Sequence, residues 1–308
     1  MTQTPLASLS ARSGIHLRLL GMAALWGASW PMGRIVALSV PPLLGASLRF
    51  VMASVLLLLW WLSVGGAQRV KHIAAAQWGW LVLAAATGIF GYSVSFMLGL
   101  QHLPAGRAAM VITLNPAATL LLAALFFHEK LNWVIVCGMV LAIVGAAMAI
   151  SGGAPWALLS GSVGAGELIV LGCVGCWVAY TLIGRRLQGV DALTMTTLTA
   201  VIGAVMLLGA SWVFEGASAW HSLQQAAPST WLSVFGMALG ATVLGYAWFL
   251  DGVKTLGASA AAAYITLVPI FGVLFSSLWL SEHMDASLLI GGALAITGMG
   301  IMHWGRRA

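Results

Sequence analysis

FMLGLQHLPAGRAAMVITLNPAATLLLAALFFHE, residues Phe96–Glu129, aligns without a gap over FLDGVKTLGASAAAAYITLVPIFGVLFSSLWLSE, residues Phe249–Glu282, 153 positions downstream. Gly99 falls on Gly252, Leu103 on Leu256, Ile112-Thr113-Leu114 on Ile265-Thr266-Leu267, Pro116 on Pro269 and Glu129 on Glu282. A second match lies upstream in a register shifted by two: GMAALWGASWPMGR (Gly21–Arg34) over GCVGCWVAYTLIGR (Gly172–Arg185). So long a period does not suit a solenoid of short units. It describes one unit written twice.

The chain has 308 residues, 61% of them hydrophobic and 6% charged, with a mean hydropathy of +1.01. No water-soluble domain of this size has that composition. Ten apolar segments lie roughly at 17–38, 43–64, 77–99, 104–127, 132–151, 167–184, 193–214, 230–252, 258–280 and 286–304. Each approaches the ~20 residues a helix needs to cross the hydrocarbon. The first carries Trp26 and Trp30 and has no small-residue cleavage site, so it reads as an uncleaved span. The expected fold is an all-α integral membrane protein of ten transmembrane helices.

Ten of the thirteen basic residues (Arg12, Arg18, Arg69, Lys71, Lys130, Arg185, Arg186, Lys254, Arg306 and Arg307) fall at one face of such a bundle. The positive-inside rule puts that face, and both termini, in the cytoplasm, with the chain multi-pass in a cell inner membrane. Five spans per unit is an odd number, so the units at 17–151 and 164–304 must be inverted relative to each other. Inverted repeats around a central cavity are a transporter architecture.

The first helix opens W-G-x-x-W-P (Trp26, Gly27, Trp30, Pro31), the second opens L-R-F (Leu48, Arg49, Phe50), and each mid-helix proline is followed thirteen residues later by Glu. In this the chain resembles the drug/metabolite transporter superfamily, EamA type, over about 17–304. The resemblance implies two five-helix units around a cavity and transport of small metabolites, often amino-acid export. Val178 in place of Gly27 and Leu182 in place of Pro31 depart from the pattern in the second unit.

The residues themselves argue against an enzyme. There is no H-E-x-x-H, G-x-S-x-G or Walker loop, and no paired carboxylate within a span. Cys173 and Cys176 have C-x-x-C spacing on an apolar helix without nearby ligands, so packing is the expected role of the cysteines. No cofactor or metal is expected. The basic balance belongs to the membrane face and implies no nucleic acid.

Candidate site residues come from polar or amphipathic groups deep in spans. Trp26, Trp30 and Trp177 lie away from the interfacial belts where indoles usually anchor. All four tyrosines, Tyr92, Tyr180, Tyr246 and Tyr264, lie within spans, where an unpaired phenol is costly. Each of these lines the cavity or packs between helices. Pro116 and Pro269 free the carbonyls of Ile112 and Ile265, and paired interruptions in two halves point to a binding site. Asn115, whose counterpart is Val268, reads a substrate group or bonds across helices.

Arg34, Arg49 and Arg107 remain after the topology count, all toward the face poor in positive charge. Arg49, about two turns into its helix, is the candidate for an internal anionic group such as a carboxylate. The duplication makes Arg34 equivalent to Arg185 and Glu129 to Glu282. Inversion then brings Arg34 with Glu282 to one face and Arg185 with Glu129 to the other, as gate latches or as plain interface anchors. No carboxylate lies at mid-membrane, which favours a facilitator over proton coupling. The expected function is alternating-access export of amino acids or related metabolites, with membrane lipid as surroundings and a monomer or homodimer as the assembly. Cationic drug-like or lipid-linked substrates, or a non-transporting membrane subunit, are the alternatives.

Overall fold

The computed structural model describes residues 5–129, 131–158 and 164–306, so Lys130 and Arg307 of the topology count lie outside the described residues. The elements are helical throughout: α1 (Pro5–Ser39), α2 (Pro42–Ser63), α3 (Ala75–His102), α4 (Ala105–Phe127), α5 (Trp133–Ile150), α6 (Ala165–Gly184), α7 (Ala192–Gln224), α8 (Pro228–Leu256), α9 (Ala260–Leu280) and α10 (Ala286–Gly305). Among the described residues nine of these, α2 to α10, are long and apolar enough to cross a bilayer. The first helix, at 35 residues, has the length, but Arg18, Arg34, Pro31 and two tryptophans interrupt its apolar run.

Sequence chemistry sets the helix starts. Pro42 and Pro228 occupy the first turns of α2 and α8, where a missing N–H costs nothing. Asn132 and Asp285, equivalent positions in the two repeats, cap α5 and α10 by accepting the N–H groups of Ile135 (2.9 Å) and Leu288 (2.8 Å). Asp191 caps α7 through Thr194 N–H at 3.0 Å.

Packing obeys the duplication. The first helix of each repeat crosses into the other half's environment in the same way: α1 packs on α8 and α9, and α6 packs on α3 and α4. Helices α5 and α10 pack on each other through glycine. A Cβ at Gly138 would stand 2.7 Å from Gly298 O, and one at Gly298 would stand 2.6 Å from Gly138 O. Likewise a Cβ at Gly145 would meet Gly291 O at 2.5 Å, and one at Gly291 would meet Gly145 O at 2.6 Å. Residues rising along α5 meet residues falling along α10, so these two equivalent helices run antiparallel. Small residues let the backbones touch, which is how helices associate without a hydrophobic driving force in lipid. Two equivalent spans running in opposite directions are what inverted repeats require.

The bundle thus has two ends. We call near the one where α1 begins and α10 finishes, and far the opposite one. Ion pairs sort to them: Arg18–Asp251, Arg69–Asp191 and Arg185–Glu129 near, Arg34–Glu282 and Arg107–Asp285 far.

Candidate functional site

A cavity of about 280 Å³ lies where the two repeats meet. It reaches from Trp30, Arg49 and Phe96 at its deep end to Thr196, His303 and Arg306 toward the near end. Of the residues expected from sequence, Trp26, Trp30, Arg49, Tyr92, Asn115, Trp177, Tyr180 and Tyr246 line it, and so do Pro116 and Pro269. Tyr264 does not. Its hydroxyl lies 2.6 Å from His16 Nδ1, tying α9 to the start of α1. Trp30 borders the cavity but is 1% exposed, packed edge-on against Phe96 at 4.9 Å, so it acts as wall.

The aromatic walls repeat. Trp26 meets Tyr246 at 5.4 Å with planes at 60°, and their equivalents Trp177 and Tyr92 meet at 6.2 Å with planes at 59°. Tilted pairs at such separations suit the ring quadrupoles. The Trp26 indole N–H donates to Ala241 O at 2.8 Å. That carbonyl is accessible because α8 widens into a π-helical turn over Gly236–Leu244, and α3 does the same over Ala85–Gly91. The π turn of α3 ends on Gly91 of its Gly-Tyr pair, and that of α8 ends on Leu244, just before Gly245-Tyr246. Such turns often mark functional sites. The sequence reading missed them; the glycines at 88, 91, 236, 240 and 245 were the available signal.

The helix breaks fall just ahead of the prolines rather than on them. In α4 the regular turn lapses at 112–113, and in α9 a 3₁₀ turn spans Tyr264–Leu267. The carbonyls of Ile112 and Ile265 are met by the N–H groups of Asn115 (3.0 Å) and Val268, again equivalent positions. The Thr113 and Thr266 hydroxyls each donate three residues back, to Met110 O and Ala263 O, both at 2.7 Å. Threonine therefore satisfies the broken backbone locally.

The polar anchors break the symmetry. Arg49 has no Arg or Lys counterpart anywhere along α7. Its Nη2 reaches Thr242 Oγ1 only at 3.4 Å, its Nε has no hydrogen-bond partner, and its guanidinium stands 5.0 Å over the Phe50 ring. Buried Asn115 Oδ1 is also unpartnered. Arg49 and Asn115 both line the cavity, and each keeps one buried polar atom without a partner.

Beyond Arg49 the far end is closed. Arg34 Nε lies 3.4 Å from Glu282 Oε1, and its Nη1 donates to the carbonyls of Leu100 (2.8 Å) and Leu103. Glu282 accepts the N–H groups of Ala105 (2.7 Å) and Gly106 (2.9 Å), the first donors of α4. Glu215 grips α2 in the same manner through Leu43 and Leu44 N–H. At the near end Arg185 Nη2 meets Glu129 Oε1 at 2.7 Å while its guanidinium covers Phe127 at 4.7 Å. Both glutamates follow a residue in the left-handed region, His128 (φ 56°) and Ser281 (φ 54°), the two non-glycine cases among the described residues. That conformation costs roughly 1–2 kcal/mol, and it turns each glutamate out of its helix axis. Cys173 is buried with its Sγ 3.7 Å from Tyr92 O, Cys176 is half-buried and Cys137 is exposed; all three are free.

A family model described as the EamA-like transporter family matches residues 13–151 and again 164–304. The chain is 28% identical over 286 residues to "Uncharacterized transporter YyaM" of Bacillus subtilis (strain 168), covering 92% of each chain. It is 29% identical over 282 residues to a "Probable terminal-alkyne amino-acid exporter" of Streptantibioticus cattleyicolor, covering 89% of this chain and 88% of that one. To "Uncharacterized inner membrane transporter YedA" of Escherichia coli (strain K12) it is 28% identical, over 84% of this chain and 80% of that one. One crystal structure superposes with a TM-score of 0.67 at 21% identity, covering 96% of this chain and all of the other, a likeness of fold.

Proposed function

The chain belongs to the EamA-like transporter family, a multi-pass membrane protein built of two repeats, and from that premise we propose that it exports amino acids or related small metabolites across a cell inner membrane by alternating access. The observation that carries this reading is the guanidinium of Arg49, with its Nε unpaired and no carboxylate beside it, at the deep end of an aromatic-walled cavity. A membrane-embedded cation without a counter-ion is costly, and an incoming carboxylate is the group that matches it. Tryptophan and tyrosine faces suit the apolar body of such a substrate. The amino-acid exporter named among the relatives supports the class. A cationic substrate would meet Arg49 as a like charge.

With the near face in the cytoplasm, the state described here opens inward and is shut outward by the Arg34–Glu282 cluster. We assign Arg34–Glu282 to the far gate; its equivalent Arg185–Glu129 is formed in the same state, so it does not have to part for the cavity to open toward the near end. The decisive experiment is uptake of labelled amino acids into liposomes containing the purified protein. Transport that saturates, and that Arg49→Gln lowers at least about tenfold, supports the reading; no transport of any member of an amino-acid and carboxylate panel overturns it.

A further inference from the structure

All seven acidic side chains lie away from the cavity lining. Glu129, Asp191, Asp251, Glu282 and Asp285 are paired with Arg185, Arg69, Arg18, Arg34 and Arg107. Glu215 is held by the first N–H groups of α2, and Glu167 sits in the first turn of α6 at the far end. The cavity's ionisable lining is instead Arg49, Arg306, His303 and tyrosines. The acceptors at the helix breaks are engaged as well: Met110 O and Ala263 O by threonine hydroxyls, Ile112 O by Asn115 N–H, and Ala241 O by the Trp26 indole. Asn115, also in the lining, offers only a neutral amide.

This has a consequence for what binds, and it rests on the cavity being the substrate site. When the gate closes, the occupied cavity loses water and its net charge becomes expensive. An amino-acid zwitterion against Arg49 leaves one positive charge enclosed, its ammonium, with no carboxylate to meet it. A singly charged anion against Arg49 leaves none at that end, Arg306 being exposed at the near mouth. Asn115 Oδ1 accepts an uncharged N–H as well as a charged one. We propose that the preferred substrates are monocarboxylate anions with an apolar body and no charged amine, N-acyl amino acids and related organic acids, with free amino acids carried less well. The carboxylate completes Arg49, and any N–H bonds Asn115.

The test is calorimetric titration of the detergent-purified full chain with four ligands sharing one phenyl body: phenylalanine, N-acetylphenylalanine, 3-phenylpropionate and phenylalanine methyl ester. At least one of the two anions should bind several-fold more tightly than phenylalanine, and the ester at least about tenfold more weakly than that anion. Phenylpropionate, the smallest, guards against an acetyl group that does not fit. In Arg49→Gln the anions should lose at least about tenfold while the ester changes little. Phenylalanine binding more tightly than both anions overturns the inference and leaves amino-acid transport standing. The ester binding best, or none of the four binding, overturns both.

Discussion

Arg34 Nε and Glu282 Oε1 stand 3.4 Å apart in the same relation as their repeat equivalents Arg185 and Glu129, whose charged atoms meet at 2.7 Å at the opposite end. The two pairs differ in surroundings. The far pair is 23% and 15% exposed, the near pair 36% and 37%. The far pair also holds the Leu100 carbonyl and the first N–H groups of α4. An exposed pair contributes about 0–1 kcal/mol, enough to move a two-state balance by up to about fivefold. Glu129→Gln should raise inward accessibility of a cysteine placed at Thr119 by no more than that, and Glu282→Gln should raise outward accessibility by a larger factor. Unchanged labelling from both sides in both variants would make these residues helix anchors.

Asn115→Leu and Tyr92→Leu should lower transport several-fold with expression and thermal stability little altered. Asn115 Oδ1 has no partner to lose, so its removal does not cost a structural hydrogen bond. Counterflow in liposomes measures this. Wild-type rates in both variants would move the substrate to other faces of α3 and α4.

Orientation is tested by cysteine labelling in a background lacking native cysteine. Trp156 and Gln225 are exposed in far-end connections. Trp156→Cys and Gln225→Cys should react with an impermeant thiol reagent on intact cells. Reaction only after lysis would reverse the assigned faces.

Two helix caps link stability to pH. The Ser287 hydroxyl and Leu288 N–H, with Arg107, hold Asp285 below its ordinary carboxylate range. At Asp191 burial pushes upward, but the Thr194 hydroxyl and N–H together with Arg69 outweigh it and the net shift is downward. A depressed folded pKa means stability present above the unfolded value, about 4, and lost as pH falls through the folded value. The melting temperature in detergent should therefore fall on acidification below about pH 4. Asp285→Ala should cost roughly 1 kcal/mol at neutral pH and make that fall shallower. Asp285→Asn, which keeps the cap and loses the Arg107 pair, should cost less.

Gly298→Leu should separate α5 from α10, because its Cβ would already stand 2.5 Å from Ala142 N, a backbone atom that cannot rotate away. A cost of about 1–3 kcal/mol, read as a lower melting temperature, is the expected result. Gly300→Leu, on the same helix with nothing near its Cβ, is the control.

The repeat made much of this legible from sequence. Hydropathy places the spans, and the Trp26/Trp177 and Gly91-Tyr92/Gly245-Tyr246 equivalences single out side chains that line one cavity. Three things escaped. A π turn changes backbone hydrogen bonding from i+4 to i+5 without changing which side chains are apolar, so α3 and α8 read as ordinary spans. The breaks precede Pro116 and Pro269 because proline disfavours the helical conformation in the residue before it and lacks only its own N–H; the slack is absorbed upstream, at Thr113 and Thr266. The 3₁₀ winding from Tyr264 then turns that phenol toward His16. His128 and Ser281 adopt a conformation normally left to glycine, and neither residue type announces it.

The reciprocal contact of Gly138 with Gly298 and of Gly145 with Gly291 makes each half the complement of the other. A surface that fits its own duplicate carries its assembly instructions twice, so the covalent connection between α5 and α6 supplies proximity and adds nothing to recognition. A gene cut in that connection and expressed as two five-helix fragments should therefore reconstitute one carrier in the membrane, with the fragments finding each other through glycine.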